Sequence, residues 1–153
     1  MLKPILLVED NPHDLELALV ALERSQLANE VVVVRDGVEA LDYLFYRGEH
    51  TERAKGNPAV LLLDLKLPRI DGLEVLETIK SNESLRSIPV VMLTTSREEL
   101  DLSRAYQLGV NAYVVKPVVF KEFVSAISGL GVFWAILNEP PPGSARRSPI
   151  KPV

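Results

Sequence analysis

The sequence predicts an α/β fold, a doubly wound sheet of five parallel strands alternating with five helices. Four apolar runs carry most of that reading. They are short, rich in Val, Ile and Leu, and separated by segments of helical periodicity, as strands buried on both faces of a parallel sheet are. Each also stops on a polar residue: Ile5-Leu6-Leu7-Val8 on Glu9-Asp10, Val60-Leu61-Leu62-Leu63 on Asp64, Val90-Val91-Met92-Leu93 on Thr94, and Tyr113-Val114-Val115 on Lys116. Ligands of such sheets bind beyond the carboxyl ends of the strands. Three carboxylates, a hydroxyl and an ammonium therefore converge on one crevice, a set suited to a metal ion and a phosphoryl group.

The elements follow in order. After the first strand, Asn11 caps a helix with Pro12 at its first position, and Leu15, Ala18, Leu19 and Leu22 recur at helical spacing to about Leu27. The β-branched stretch Glu30 to Arg35 reads as the second strand, and Asp36-Gly37 turns into a helix with Val38, Leu41, Leu44 and Phe45 on one face. Arg47 to Pro58 is polar, with Gly48 and Gly56, and reads as a long loop; loops of that length are uncommon and often functional. Gly72 opens a third helix bearing Leu73, Leu76 and Ile79, and a polar connection from Ser81 to Ser87 leads to Pro89, which marks the start of the next strand. Ser96 and Glu99 have the spacing of a capping box, and Gly109 ends the helix they begin. The fifth strand, about Ala112 to Val115, passes through Lys116-Pro117 into a last helix from about Val119 to Leu137. From Glu139 the chain turns Pro-rich, and 139–153 is expected to be a disordered tail beside a domain at 1–138.

Composition narrows the functional classes. At 153 residues and 47% hydrophobic content the chain is sized for one well-buried core. A net charge of -4 argues against direct nucleic-acid binding, which favours a basic face. The absence of cysteine removes disulfides, thiolate nucleophiles and zinc-thiolate sites, and fits the cytoplasm. Glu9-Asp10 cuts the first apolar run short, far below the roughly 7–15 residues of a signal-peptide core or the ~20 of a membrane span, so no membrane anchoring is expected.

Asp64 is the candidate nucleophile, since a strand-end carboxylate can attack a phosphoryl donor and form an aspartyl phosphate. Alone it would read more readily as a cap or turn. Glu9 and Asp10 can reach one hard cation where the chain turns, and Mg2+ suits such oxygen ligands. Without a cation, three crowded carboxylates raise one another's pKa. Lys116 supplies a point charge for a phosphoryl oxygen and Thr94 a hydroxyl donor. Each also has an ordinary structural reading; the four strand ends together are the specific signal.

With Glu9-Asp10, Asp64 followed by Leu67-Pro68-x-x-Asp71-Gly72, Thr94 and Lys116-Pro117, residues from about 3 to 137 resemble the receiver domains of two-component response regulators. That resemblance implies a flavodoxin-like sheet of order 2-1-3-4-5, and a signalling protein rather than a turnover enzyme. It implies phosphoryl transfer from a histidine kinase to Asp64, with Mg2+ held by Asp10, Asp64 and the backbone carbonyl of Lys66, and Glu9 acting partly through water. In receivers the Lys-Pro peptide is often cis. More narrowly, the Glu-Asp-Asn-Pro-x-Asp start, the long loop before the Asp64 strand and Phe133-Trp134 resemble stand-alone regulators paired with bacterial and cyanobacterial phytochromes. Phe133-Trp134 reads equally well as core packing.

Many receivers have Asp-Asp at the first strand end, so the longer Glu9 is expected farther from the metal. Lys66, two residues after Asp64, is placed to screen an acyl phosphate from water and slow its hydrolysis. Thr94 moving toward a phosphoryl group would make room for Tyr113 to turn inward, biasing the face of helix 4, strand 5 and helix 5 between two states. The last helix carries more apolar surface than one face buries, which fits a homodimer through this region or contact with the kinase. A Mg2+-dependent phosphohydrolase is the rival enzyme, but it needs an acid two residues after its nucleophile, where this chain has Lys66. A receiver-like module that is never phosphorylated is the third reading, opposed by the intact acidic pair, Asp64, Thr94 and Lys116.

Overall fold

In the computed structural model, residues 3–24, 29–95, 99–116, 119, 121–122 and 125 are described. Five parallel strands, β1 (Ile5–Val8), β2 (Val31–Val34), β3 (Val60–Asp64), β4 (Val90–Thr94) and β5 (Ala112–Val115), form one sheet in the order β2-β1-β3-β4-β5. Four helices connect them: α1 (Pro12–Arg24), α2 (Gly37–Leu44), α3 (Gly72–Lys80) and α4 (Glu99–Gln107). The α/β alternation is the one the sequence predicts, and the strand order is the one its resemblance to receiver domains implies. The Ser96 cap, the Lys116-Pro117 peptide, Phe133-Trp134, most of the last helix and the 139–153 tail lie outside the described residues.

Alternation along each strand splits the core into two halves. Leu6, Val8, Leu61, Leu63 and Met92 face α2, α3 and α4 and pack with Leu41, Leu44, Val75, Leu76, Ile79 and Ala105. Ile5, Leu7, Val60, Leu62, Val91, Leu93 and Val114 face the opposite way, onto Leu15, Ala18, Ala21 and Leu22 of α1. Burial on both faces is why these strands are continuously apolar.

Side chains cap the starts of α1, α2 and α3. Asn11 accepts the Asp14 N–H at 3.0 Å, Asp36 the Glu39 N–H at 2.8 Å, and Asp71 the Glu74 N–H at 2.9 Å. At the other end of α4, Gly109 takes φ +97°, where a side chain is strained, and ends the helix.

The 47–58 segment is more ordered than a polar loop suggests. It holds a 3-10 turn at Gly48–His50, and the Arg53 guanidinium lies 4.0 Å from the ring centroids of both Tyr43 and Tyr46. Arg53 also donates to the carbonyls of Tyr43, Ala54 and Gly56 at 2.6, 2.8 and 3.0 Å. One side chain thus replaces the apolar periodicity that the segment lacks.

Candidate functional site

The site forms where β1, β3, β4 and β5 end. Parallel pairing aligns these ends: Val8 is level with Leu63, Asp64 with Leu93, and Thr94 with Val115. Asp64 and Thr94 end β3 and β4, and Glu9 and Lys116 follow directly on β1 and β5, so all four come to one rim. Glu9, Asp64, Thr94 and Lys116 are all buried there, while Asp10 is exposed.

Lys116 is the hub. Its Nζ lies 2.6 Å from Glu9 Oε1 and 3.1 Å from Asp64 Oδ2, and its backbone N–H donates to the Thr94 carbonyl at 2.7 Å. A third carboxylate joins them, Asp14 from the first turn of α1, with Oδ2 at 3.1 Å. Reading the sequence missed Asp14, although it closes the Glu-Asp-Asn-Pro-x-Asp stretch; an acid in a first helical turn normally reads as favourable to the helix dipole alone.

Burial pushes the Glu9 carboxyl up from an ordinary 4.5 to about 7; Asp64's charge adds to the rise, while Lys116 and the Asn11 N–H oppose it. Burial alone would depress the Lys116 ammonium, but its hydrogen bond to Glu9 and the charges of Asp64 and Glu9 outweigh that and raise it. Lys116 is therefore held as a cation at neutral pH.

The β3–α3 loop holds Asp64 from behind. Its Lys66 N–H lies 3.4 Å from Asp64 Oδ1, the Gly72 N–H returns to the Leu65 carbonyl at 2.8 Å, and Arg69 takes φ +70° while reaching Asp36 Oδ2 at 3.3 Å. A non-glycine residue at that φ is held by its surroundings. Two glycines permit the approach of the flanking helices. A Cβ on Gly72 would overlap the Asp64 carbonyl oxygen, and one on Gly37 the Ile70 carbonyl oxygen.

The residues suit a divalent metal. One oxygen from each of Glu9, Asp10 and Asp64 lies within 4.8 Å of the others, an all-oxygen set that matches a hard cation. Thr94 and Tyr113 are brought to one face of the sheet: Met92 is level with Tyr113 and Thr94 with Val115, and residues two apart share a face. Tyr113 is half-buried there, against the core half that faces α4.

The response regulator receiver domain model matches residues 5–128. The chain belongs to the response regulator receiver family. Members are signalling proteins rather than enzymes. The bacteriophytochrome response regulator RtBRR is similar, with a TM-score of 0.84 and 69% identity, over 95% of this chain and 87% of that one. Response regulator Rcp1 of Synechocystis is 42% identical over 132 residues, 86% of this chain and 88% of the relative. Its Mn(2+)-bound form has been solved and gives a TM-score of 0.71 at 40% identity, over 86% and 92% of the two chains. The probable methanogenesis regulatory protein FilR2 of Methanothrix harundinacea is 43% identical over 137 residues, 90% of this chain and 86% of the relative. Among the described residues, no helix is long and apolar enough to cross a membrane.

Proposed function

We propose that this chain is a single-domain response regulator that accepts a phosphoryl group on Asp64 from a histidine kinase. The observation that carries the reading is a buried Asp64 carboxylate 3.1 Å from the buried Lys116 ammonium, at the rim where Glu9 and Asp10 complete an acidic cluster. Asp64 attacks phosphorus and becomes an acyl phosphate; its burial keeps water from competing for the donor. Lys116 places its charge against the phosphoryl oxygens, and the Thr94 hydroxyl donates to one of them. Asp10, Asp64 and the Lys66 backbone carbonyl would hold Mg2+, with Glu9 beside them in the acidic cluster; when bound, the ion would neutralise charge on the reacting oxygens.

The event is read out through Thr94 and Tyr113 to the face formed by α4, β5 and the last helix, which also forms a homodimer. The receiver spans 1–138 and the Pro-rich segment 139–153 is its tail, in the cytoplasm, with no nucleic acid bound directly. Likeness to RtBRR and Rcp1 supports a phytochrome kinase as the donor.

Incubation with acetyl phosphate and Mg2+ gives a mass gain of one phosphoryl group on the wild type and none on Asp64→Asn. A gain that survives in Asp64→Asn contradicts the proposal. Adding candidate kinases to the same assay finds the donor. Tyr113→Ala keeps the mass gain but weakens the phosphorylation-dependent change in dimer or partner binding by several-fold, measured by sedimentation or titration; a Tyr113→Ala protein that no longer takes up phosphate contradicts the assigned readout.

A further inference from the structure

Asp14 is the one member of the Lys116 cluster that the family reading leaves without a role. An ammonium has three N–H donors and no more. In this structure three carboxylates surround them: Glu9 at 2.6 Å, Asp14 at 3.1 Å and Asp64 at 3.1 Å. Lys116 therefore has no spare donor for a phosphoryl oxygen and must surrender one contact to gain another.

The three contacts differ in how readily they are given up. Glu9 makes the shortest one from a side chain 1% exposed, and Asp64 is the group being modified. Asp14 has a side chain 25% exposed, on a helix rather than a strand end, so water replaces its partner at small cost. Its charge also stands within two hydrogen-bond lengths of Asp64 Oδ2, where a phosphoryl group would bring further negative charge.

We infer that Asp14 is a positioning residue that occupies one donor of the Lys116 ammonium in the unmodified protein and so restrains phosphoryl transfer to Asp64. The inference rests on the proposed role of Asp64 and adds a brake to it. With acetyl phosphate as donor, a carboxylate oxygen of Asp64 bonds to phosphorus while the donor P–O bond breaks and acetate leaves with the electron pair. No proton need move. Lys116 passes from Asp14 to a phosphoryl oxygen as the charge arrives.

The test compares wild type, Asp14→Asn and Glu16→Gln, the last removing an exposed acid from the same helix outside the cluster. In acetyl phosphate and Mg2+, Asp14→Asn acquires the phosphoryl group roughly threefold to tenfold faster than wild type, the size expected for removing one charge at this range in a partly screened site. Glu16→Gln matches wild type. Without metal, a double-mutant cycle on urea midpoints with Lys116→Met shows that Asp14→Asn lowers the midpoint more when Lys116 is present than when it is absent. Equal or slower modification of Asp14→Asn, an equal acceleration by Glu16→Gln, or no coupling to Lys116 overturns the brake while leaving Asp64 as acceptor. Failure of the wild type to be modified at Asp64 overturns the acceptor assignment itself, and the brake with it.

Discussion

Lys116→Met lowers the stability of the metal-free protein by about 3–5 kcal/mol at pH 8, the usual cost of removing one partner from a buried ion pair. Glu9 and Asp64 are both buried, and each loses the ammonium that compensates it. The cost depends on pH in a defined direction. The folded Glu9 carboxyl binds its proton up to about 7, against an ordinary 4.5, because burial and Asp64 disfavour its charge. As pH rises from about 4.5 to about 7 the unfolded chain releases that proton while the folded one retains it, so the Glu9 contribution to stability falls over this window. Removing Lys116 takes away a contact that opposes the rise and extends the window upward. The gap between wild type and Lys116→Met is therefore wider at pH 8 than at pH 6. Urea unfolding at the two pH values in chelator measures it, and an equal gap would remove the electrostatic explanation.

Gly72→Ala is the other severe change, with a loss of about 3 kcal/mol or more, at the upper end of what overpacking costs. The added Cβ overlaps the Asp64 carbonyl oxygen and comes within 2.9 Å of Leu65 Cα and 3.0 Å of the Asp64 carbonyl carbon. These are backbone atoms, which cannot rotate away as a flexible side chain would. Either α3 withdraws from the loop or Asp64 shifts at the end of β3, so phosphoryl uptake falls along with the urea midpoint. A variant with wild-type stability and wild-type uptake would show that the helix and loop are not in the close contact described. Gly56→Ala is the comparison, since nothing lies within 4 Å of its added Cβ, although its φ of +129° carries local backbone strain.

How much of this was legible depends on whether each feature is written locally. The strands were readable because burial on both faces leaves unbroken apolar runs, and the site because each run ends on its functional residue. The Asn11 cap, a local hydrogen bond to the residue three positions on, shows in the sequence as well. Asp14 and Lys116 are 102 positions apart, so their contact exists only once α1 packs beside the end of β5. Gly37 reads as half of an Asp-Gly turn, yet its lack of a side chain also admits the Ile70 carbonyl from a distant loop. Polar composition made 47–58 look irregular because its order comes from one guanidinium between Tyr43 and Tyr46 rather than from any periodic pattern. In each case the missed feature is a tertiary contact made by a residue with a sufficient local explanation of its own.

The rim of carboxylates directs phosphoryl chemistry to one side chain, Asp64. Locating the modified residue tests it most directly. After brief reaction with acetyl phosphate and Mg2+, reduction of the acyl phosphate with borohydride and peptide sequencing by mass spectrometry should place a single modification on Asp64, leaving Glu9, Asp10 and Asp14 unchanged. A modification on any of those three carboxylates instead of Asp64 would contradict the account.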